Sequence, residues 1–298
     1  MSAELIVDRR ENLDAEEFRE HYVKRRRPVL VKNALAGSSA LSLWDFDYLR
    51  REAGASVVPL KTLSESEIKI SHQRLSDYLS DLETFERRGT LAGSNAPPPP
   101  AYLHDIPLTA LLPGAQEELA GFPKDYFPAW YRSRWPQFAQ AFVGPTGSLT
   151  PLHFDCLLTH NLFFQVRGRK RFVLMAAEQI KYCYRHHWRW CEVDVEAPDL
   201  ERFPLYREAR PAEVVVEPGD CLYFPPGTLH HVRSLDAALS FNIDWHTKDS
   251  AADGVLAGLR GMPLRNVYYN AVIALGLWTG VSVETLYPYY RSYLTYVS

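Results

Sequence analysis

The segment Thr150-Pro-Leu-His-Phe-Asp155 sets an imidazole and a carboxylate two residues apart. On a β-strand, residues two apart point to the same face, so His153 and Asp155 would project together into whatever that face encloses. A second source of imidazole lies 77 residues further on, in Pro225-Pro-Gly-Thr-Leu-His-His231, again at an expected strand start. Two histidines and one carboxylate on one face of a metal form the facial triad of non-haem Fe(II) oxygenases. That triad leaves three coordination positions open for a cosubstrate and oxygen. An H-x-D triplet alone is a common surface accident, and a His-His doublet alone carries little more. Together, on β-segments of one barrel, they favour a metal. Alternation leaves His230 and His231 as alternatives, because adjacent strand residues face opposite ways.

The elements that must position these groups can be read around them. From about 126 to 247 the chain breaks into short β-like runs with turn punctuation: FAQAFVG, LTPLHFD, HNLFFQVRG, KRFVLMA, AEVVVEPGD, CLYFPPG, LHHVRSL and LSFNIDW. Strands this short and this closely spaced suggest a sandwich or barrel. NLFFQV-RGRK-RFVLM reads as a hairpin turning at Gly168, and Glu217-Pro-Gly-Asp220 as the turn that launches another strand. Residues 1–125 mix helix and strand signals. EEFREHYVKRRR is expected to be a helix before a strand at Pro28–Lys32, and LWDFDYLRREAG a helix closed by Gly54. SVVPL and IKIS are expected strands, and Asn95–Pro100 an extended loop, since successive prolines forbid helix and interior sheet. From 248 to 298 the pattern is helical, with LAGLRGMPLRNVYYNAVIALGLW as the longest periodic run.

Composition bounds the class. The 298 residues suggest one large domain or a core with appended segments. Hydrophobic residues at 46% and charged ones at 23% exclude a disordered chain. The charge sum, 33 − 36 = −3, gives no general nucleic-acid footprint. The basic runs Arg25–Arg27 and Arg167–Arg171 read as solvated ends and turns. Cys156, Cys183, Cys191 and Cys221 contain no C-x-x-C pair and do not form a disulfide scaffold. The first residues lack the apolar core of a signal peptide, and Ala271–Val283 is too short to span a bilayer. A soluble, reduced, cytoplasmic protein is expected.

Five segments occur in a telling order: Thr150–Asp155, Asn161-Leu-Phe-Phe-Gln-Val-Arg-Gly-Arg-Lys-Arg171, Glu217-Pro-Gly-Asp-Cys-Leu-Tyr-Phe-Pro-Pro226, His230-His-Val and Ser240-Phe-Asn-Ile-Asp-Trp245. The set resembles the JmjC/cupin-like 2-oxoglutarate oxygenases, especially the hydroxylase branch with the factor-inhibiting-HIF asparaginyl hydroxylase and the tRNA wybutosine hydroxylase. The resemblance runs from about residue 15 to 247. It takes in Arg27–Leu35, Leu43–Leu49 and Ala101–Pro107 upstream.

The resemblance implies a mainly β fold: a double-stranded β-helix (jelly-roll, cupin/JmjC) core with an N-terminal α/β extension and C-terminal helices. It implies His153, Asp155 and His230 as ligands of Fe(II), His230 being preferred by its place in the doublet, with His231 packed outside. Lys170 matches the lysine that pairs with the distal carboxylate of 2-oxoglutarate, and Thr150 the hydroxyl that supports it. Tyr102, Asn161 and Asn242 match positions lining that pocket. The implied reaction uses O2 and 2-oxoglutarate to hydroxylate an unactivated C–H bond. An amino-acid side chain in a protein or peptide is the favoured substrate, and a small metabolite or free amino acid the alternative. Nucleic acid is disfavoured by the charge, lysine demethylation by the lack of a histone-reading module, and no membrane partner is expected. A metal-binding barrel acting as a binding module or isomerase is the reading of another class; Lys170 with Thr150 argues against it.

Three features depart from the pattern or extend it. Asp244 stands where relatives often carry a large apolar residue, and is either a structural carboxylate or a contact to a cationic substrate group. The insert Tyr182–Cys191 is aromatic and basic, and its His186 and His187 fit no zinc spacing with the cysteines. The segment after Asp249 resembles a helical dimerisation appendage, so a homodimer through the C-terminal helices is expected.

Overall fold

The computed structural model describes residues 5–63, 68–89 and 99–293. Most of the proline-rich run expected as an extended loop, Asn95 to Pro98, lies outside the described residues. Eight strands build the core: β1 Ala139–Gly144, β2 Leu149–His153, β3 His160–Arg167, β4 Lys170–Met175, β5 Ala212–Val216, β6 Cys221–Phe224, β7 Leu229–Ser234 and β8 Ala238–Trp245. They form two facing antiparallel sheets ordered β6-β3-β8-β1 and β2-β7-β4-β5. This is a double-stranded β-helix, and each β-run read from the sequence is one of its strands.

The larger sheet is extended at both edges by the N-terminal region. Val29–Lys32 pairs antiparallel with β6 and parallel with Asp8–Glu11, while Leu103–Pro107 pairs with β1. The smaller sheet is extended beyond β2 by Trp190–Cys191 and Arg185–His186. Val57–Leu63 and Ile68–Arg74 form a two-stranded ribbon of their own, tied to the barrel by the backbone bridge between Lys61 and Tyr102.

Alternation divides each strand between two cores. On β3, Phe163 joins Phe172, Leu222 and Phe224 between the sheets, while Phe164 packs outward against Phe122 and Phe241, the latter in turn against Trp44, under the N-terminal elements. Both faces are therefore covered, which is why β3 reads as a nearly continuous apolar run. On β8 the odd positions Leu239, Phe241, Ile243 and Trp245 face outward, and Ser240, Asn242 and Asp244 face the interior.

The expected hairpin at Gly168 is corrected. The chain does turn there, with Gly168 at φ +66°, but β3 and β4 separate into opposite sheets and do not pair. Two adjacent apolar runs joined by a glycine turn look locally like a hairpin. Here β3 finds partners in β6 and β8, and β4 in β5 and β7, all distant in sequence. A Cβ on Gly168 would lie 2.3 Å from the Ala237 carbonyl oxygen. Gly168→Ala is therefore expected to destabilise by about 2–4 kcal/mol, from the positive φ and the clash together, seen as a lowered Tm.

The C-terminal run is also divided. Gly261, at φ +92°, and Pro263 separate helix Lys248–Leu256 from helix Leu264–Thr279, and a third helix covers Val283–Tyr290. In the N-terminal region Asp14 caps Ala15–Phe18 by accepting from the Glu16 and Glu17 amides, and the helix then widens over Arg19–Val23. Among the described residues, no helix is long and apolar enough to cross a membrane.

Candidate metal and cosubstrate site

His153 and His230 are cross-strand partners on β2 and β7, with ring centroids 4.1 Å apart. Asp155 lies just past the end of β2, its Oδ1 3.7 Å from His230 Nε2. One donor atom from each of the three lies within 4.8 Å of the others. The ring orientations are set by backbone carbonyls. His153 Nδ1 lies 2.7 Å from the Pro151 carbonyl and His230 Nδ1 3.0 Å from that of Thr228. Donation from each Nδ1–H leaves Nε2 as a lone pair. Burial pushes the pKa of both rings down, far down at His153, where His230 adds to it, and less at His230, where Asp155 opposes it. Two neutral imidazoles and a carboxylate fit a mononuclear Fe(II) ion with open positions.

Asn161, on β3, donates from Nδ2 to Asp155 Oδ2 at 3.0 Å, so one carboxylate oxygen is tied and the other is left for a metal. Asn161→Ala is expected to weaken metal binding roughly 10- to 100-fold, as loss of an outer partner does. Fe(II) or Zn(II) titration calorimetry measures it directly.

Lys170, at the start of β4, is 1% exposed and points inward between the sheets. Its ammonium donates to the Tyr102 hydroxyl at 2.6 Å and to Ser240 Oγ at 2.8 Å. Rings of Tyr102, Phe142 and Phe163 surround it at 5.1–5.3 Å. Burial pulls its pKa down to about 7, since no carboxylate among the described residues pairs with it. A buried ammonium with only neutral acceptors fits an anionic guest. Thr150 reaches the same cavity because β2 carries a bulge: Pro151 and Leu152 stand opposite the single residue His231, so both Thr150 and His153 turn inward. Strict alternation would have separated them.

One cavity joins all of these groups. Lys170, Tyr102, Thr150, the triad, Asn161, Asn242 and Asp244 all line it. Every residue proposed from the sequence therefore lines one space. His231 faces away and is buried on the outer side near Glu196 and Asp194. That outer trio is the other group of potential ligands among the described residues, but Glu196 is already held by Arg171 and Arg233. His186 and His187 join neither group.

The sequence reading did not single out His104, Asp105, Arg189, Tyr293 or Ser240. His104 Nε2 lies 3.2 Å from Thr150 Oγ1, and its buried Nδ1 has no partner. Arg189 comes from the aromatic insert, whose Trp190 pairs with His153 and leans on its ring at 4.9 Å. Tyr293 arrives from the C-terminal turn Arg291–Tyr293. The alternation of β8 was the one available signal, for Ser240 shares a face with Asn242.

A double-stranded β-helix holding a two-histidine, one-carboxylate centre beside a buried anion cradle is a cupin-type domain of the JmjC kind. The chain belongs to the cupin-like domain family, which matches residues 15–251. It is 27% identical to "Lysine-specific demethylase 8" of Xenopus tropicalis over 77% of this chain and 50% of that protein. It is 25% identical to "2-oxoglutarate and iron-dependent oxygenase JMJD4" of Gallus gallus, over 76% and 56%. Against "tRNA wybutosine-synthesizing protein 5" of Homo sapiens the identity is 24%, over 81% and 78%. The chain spans about half the length of the first two.

Proposed function

We propose that this protein is an Fe(II)- and 2-oxoglutarate-dependent dioxygenase that hydroxylates an amino-acid side chain of a protein or peptide, releasing succinate and CO2. The observation that carries this reading is the shared cavity: the triad and the carboxylate-free Lys170 open into one space. A barrel that only bound a metal, or used it for isomerisation, has no use for a buried ammonium beside it. When bound, iron and the 2-oxo acid supply the oxygen activation that places a hydroxyl on an unactivated C–H bond.

The chain's own residues do the positioning. His153, Asp155 and His230 would hold the metal by one side, leaving the other to cosubstrate and oxygen. Lys170, with the Tyr102 hydroxyl and Thr150, would hold the distal carboxylate, and Asn161 and Asn242 would border the cosubstrate. The aromatic walls exclude water around the ammonium. The names of the relatives span a demethylase, an oxygenase and a tRNA-modifying protein. Net charge −3 weighs against nucleic acid here. A free amino acid or small metabolite is the second reading, favoured by the burial of the lining residues His153, Asn161 and Lys170.

Residues 1–125, 126–247 and 248–298 are taken as extension, catalytic core and appendage of a cytoplasmic enzyme. The appendage is proposed to carry a homodimer contact: Leu256, Leu259, Leu264, Leu275 and Trp278 are all exposed on it. Leu259→Glu with Trp278→Glu is expected to halve the mass seen in sedimentation velocity. A wild-type monomer across a dilution series removes the homodimer.

The function is tested by adding Fe(II) and then 2-oxoglutarate to the protein without oxygen. A weak visible charge-transfer band from the chelate, followed by succinate release with a peptide or metabolite, is the expected result. No band in the metal-loaded protein returns the fold to a metal-binding role of another kind.

A further inference from the structure

The aromatic insert Tyr182–Cys191, to which the proposed reaction gives no task, folds into a hairpin of two short strands. Arg185 pairs with Cys191 and His186 with Trp190, so His187, Trp188 and Arg189 form a three-residue turn, with His187 at φ +50°. Two strands of two residues do not hold themselves together in water, so their order comes from what they pack on. At the base, Cys183 and Cys191 are buried with Met175, Val193, Phe203 and Tyr206. The tip reaches the segment His153–Cys156, which carries two of the three triad residues.

The contacts run along that segment one residue after another. Trp190 is the cross-strand partner of His153, and its ring lies 4.9 Å from the imidazole, tilted by 30°. The Arg189 guanidinium lies 4.5 Å over the same indole. The Phe154 amide donates to the Arg189 carbonyl at 3.2 Å. Trp188 Nε1 donates to the Cys156 carbonyl at 2.8 Å, and its ring meets Phe154 edge-on at 5.4 Å. Asp155 therefore stands between two residues whose main chain is tied to the hairpin, beyond the last ladder pair of β2. A ligand on an irregular segment keeps its geometry only if the backbone beneath it is fixed. Asn161 fixes the Asp155 carboxylate, and the hairpin fixes the chain on either side of it. A hairpin that only covered the edge of β2 would need backbone pairing and no indoles; here both indoles are spent on the ligand-bearing segment.

We infer that the hairpin Arg185–Cys191 is a clamp on the metal centre, in which Trp190 positions His153 and Trp188 positions Asp155. This rests on the proposed function, since it takes the triad as the metal site. Trp190 limits the tilt of the imidazole from the side away from His230, the other cross-strand partner of His153. Trp188 acts through the Cys156 carbonyl, which sets where the Asp155 backbone can go. Neither indole touches the metal position, so both are positioning residues.

Zn(II) titration calorimetry and the Co(II) absorption spectrum of the full chain test this. Trp188→Phe keeps a ring against Phe154 and removes the indole N–H. Trp190→Leu takes the ring away from His153, and Trp190→Phe gives one back. Trp188→Phe and Trp190→Leu are each expected to weaken Zn(II) binding roughly 10- to 100-fold, as loss of an outer partner does, and to shift the Co(II) ligand-field bands. Trp190→Phe is expected to stay near wild type. Tyr184→Phe removes the hydroxyl that accepts from the Leu205 amide elsewhere in the insert, and should leave both readouts unchanged. Wild-type affinity and spectrum in both Trp188→Phe and Trp190→Leu overturn the clamp, even if the Tm of the metal-free protein falls, since the indoles would then only pack. An equal loss in Tyr184→Phe, or no rescue by Trp190→Phe, overturns it as well. If Trp190→Leu does not fold, Trp188→Phe against Tyr184→Phe decides alone. Zn(II) binding that survives His153→Ala would place the metal off the triad and remove the proposed function and the clamp together. Binding that His153→Ala abolishes and the tryptophan variants leave intact removes only the clamp.

Discussion

Replacing His153 with alanine is expected to eliminate the iron–2-oxoglutarate band and reduce turnover by at least about a thousandfold, or ~4 kcal/mol of barrier. The ring supplies one of three donors within 4.8 Å, and its Nδ1 is committed to the Pro151 carbonyl, which leaves Nε2 for the metal. The loss should go well beyond the 10- to 100-fold that removing an outer partner costs. His230→Ala is expected to behave alike, because its Nε2 faces the same point. His231→Ala is the control that separates the doublet. That ring lies on the outer face, so the band is expected to persist. A second readout does not depend on catalysis: Zn(II) at 100 times its Kd should stabilise the wild type by about 2.7 kcal/mol by mass action. His153→Ala should lose that rise in Tm. A band retained in His153→Ala, or lost in His231→Ala, would put the metal elsewhere.

Lys170 yields the second large effect, and it has a sign in pH. Burial lowers its pKa in the folded protein to about 7 from the ordinary 10.5. Between those values the unfolded chain holds a proton that the folded chain lacks, so stability rises with pH across that window. Below about 7 both states are charged, and the folded state carries the full penalty of an unpaired buried ammonium. Lys170→Met should remove this dependence and raise the Tm of the cosubstrate-free protein at pH 6. The same substitution should weaken 2-oxoglutarate binding by about a hundredfold while leaving Fe(II) affinity near wild type. In the wild type, a carboxylate arriving beside Lys170 restores its charge. Binding at pH 8 is therefore expected to take up nearly one proton, measured as a difference in calorimetric heat between phosphate and Tris buffers. Zero uptake would mean that the ammonium is not the carboxylate's partner.

Much of this site could be read from residue order, and the reasons are physical. Each core strand is a short apolar run closed by glycine, proline or a charged turn, so the eight β-segments stand out one by one. His153 and Asp155 are legible because their spacing matches the strand repeat. The connections between strands are not legible in that way. The residues around Gly168 carry local hairpin chemistry, and only the distant partners of β3 and β4 pull them into different sheets. Thr150 shares the cavity with His153 through a bulge that strict alternation does not contain. Asp105 likewise depends on a bulge, and Tyr293 reaches the cavity from a segment 138 positions after Asp155. Positions set by an irregularity, or by packing across the whole chain, leave no periodic trace.

The alternation of consecutive strands between sheets also bears on when the protein becomes itself. Strand β2 cannot find β7 until 229–234 have been made, and β3 waits for both β6 and β8. Pairing over such separations gives a high contact order and slow folding, with the loop-closure entropy met before the contacts reward it. During synthesis, the chain must therefore be released past Ser234 before two histidines 77 positions apart can meet. The metal centre is among the last features to exist, and a nascent chain carrying β2 through β6 has apolar strand edges with no mates. Such unpaired edges are prone to aggregate until their partners are made.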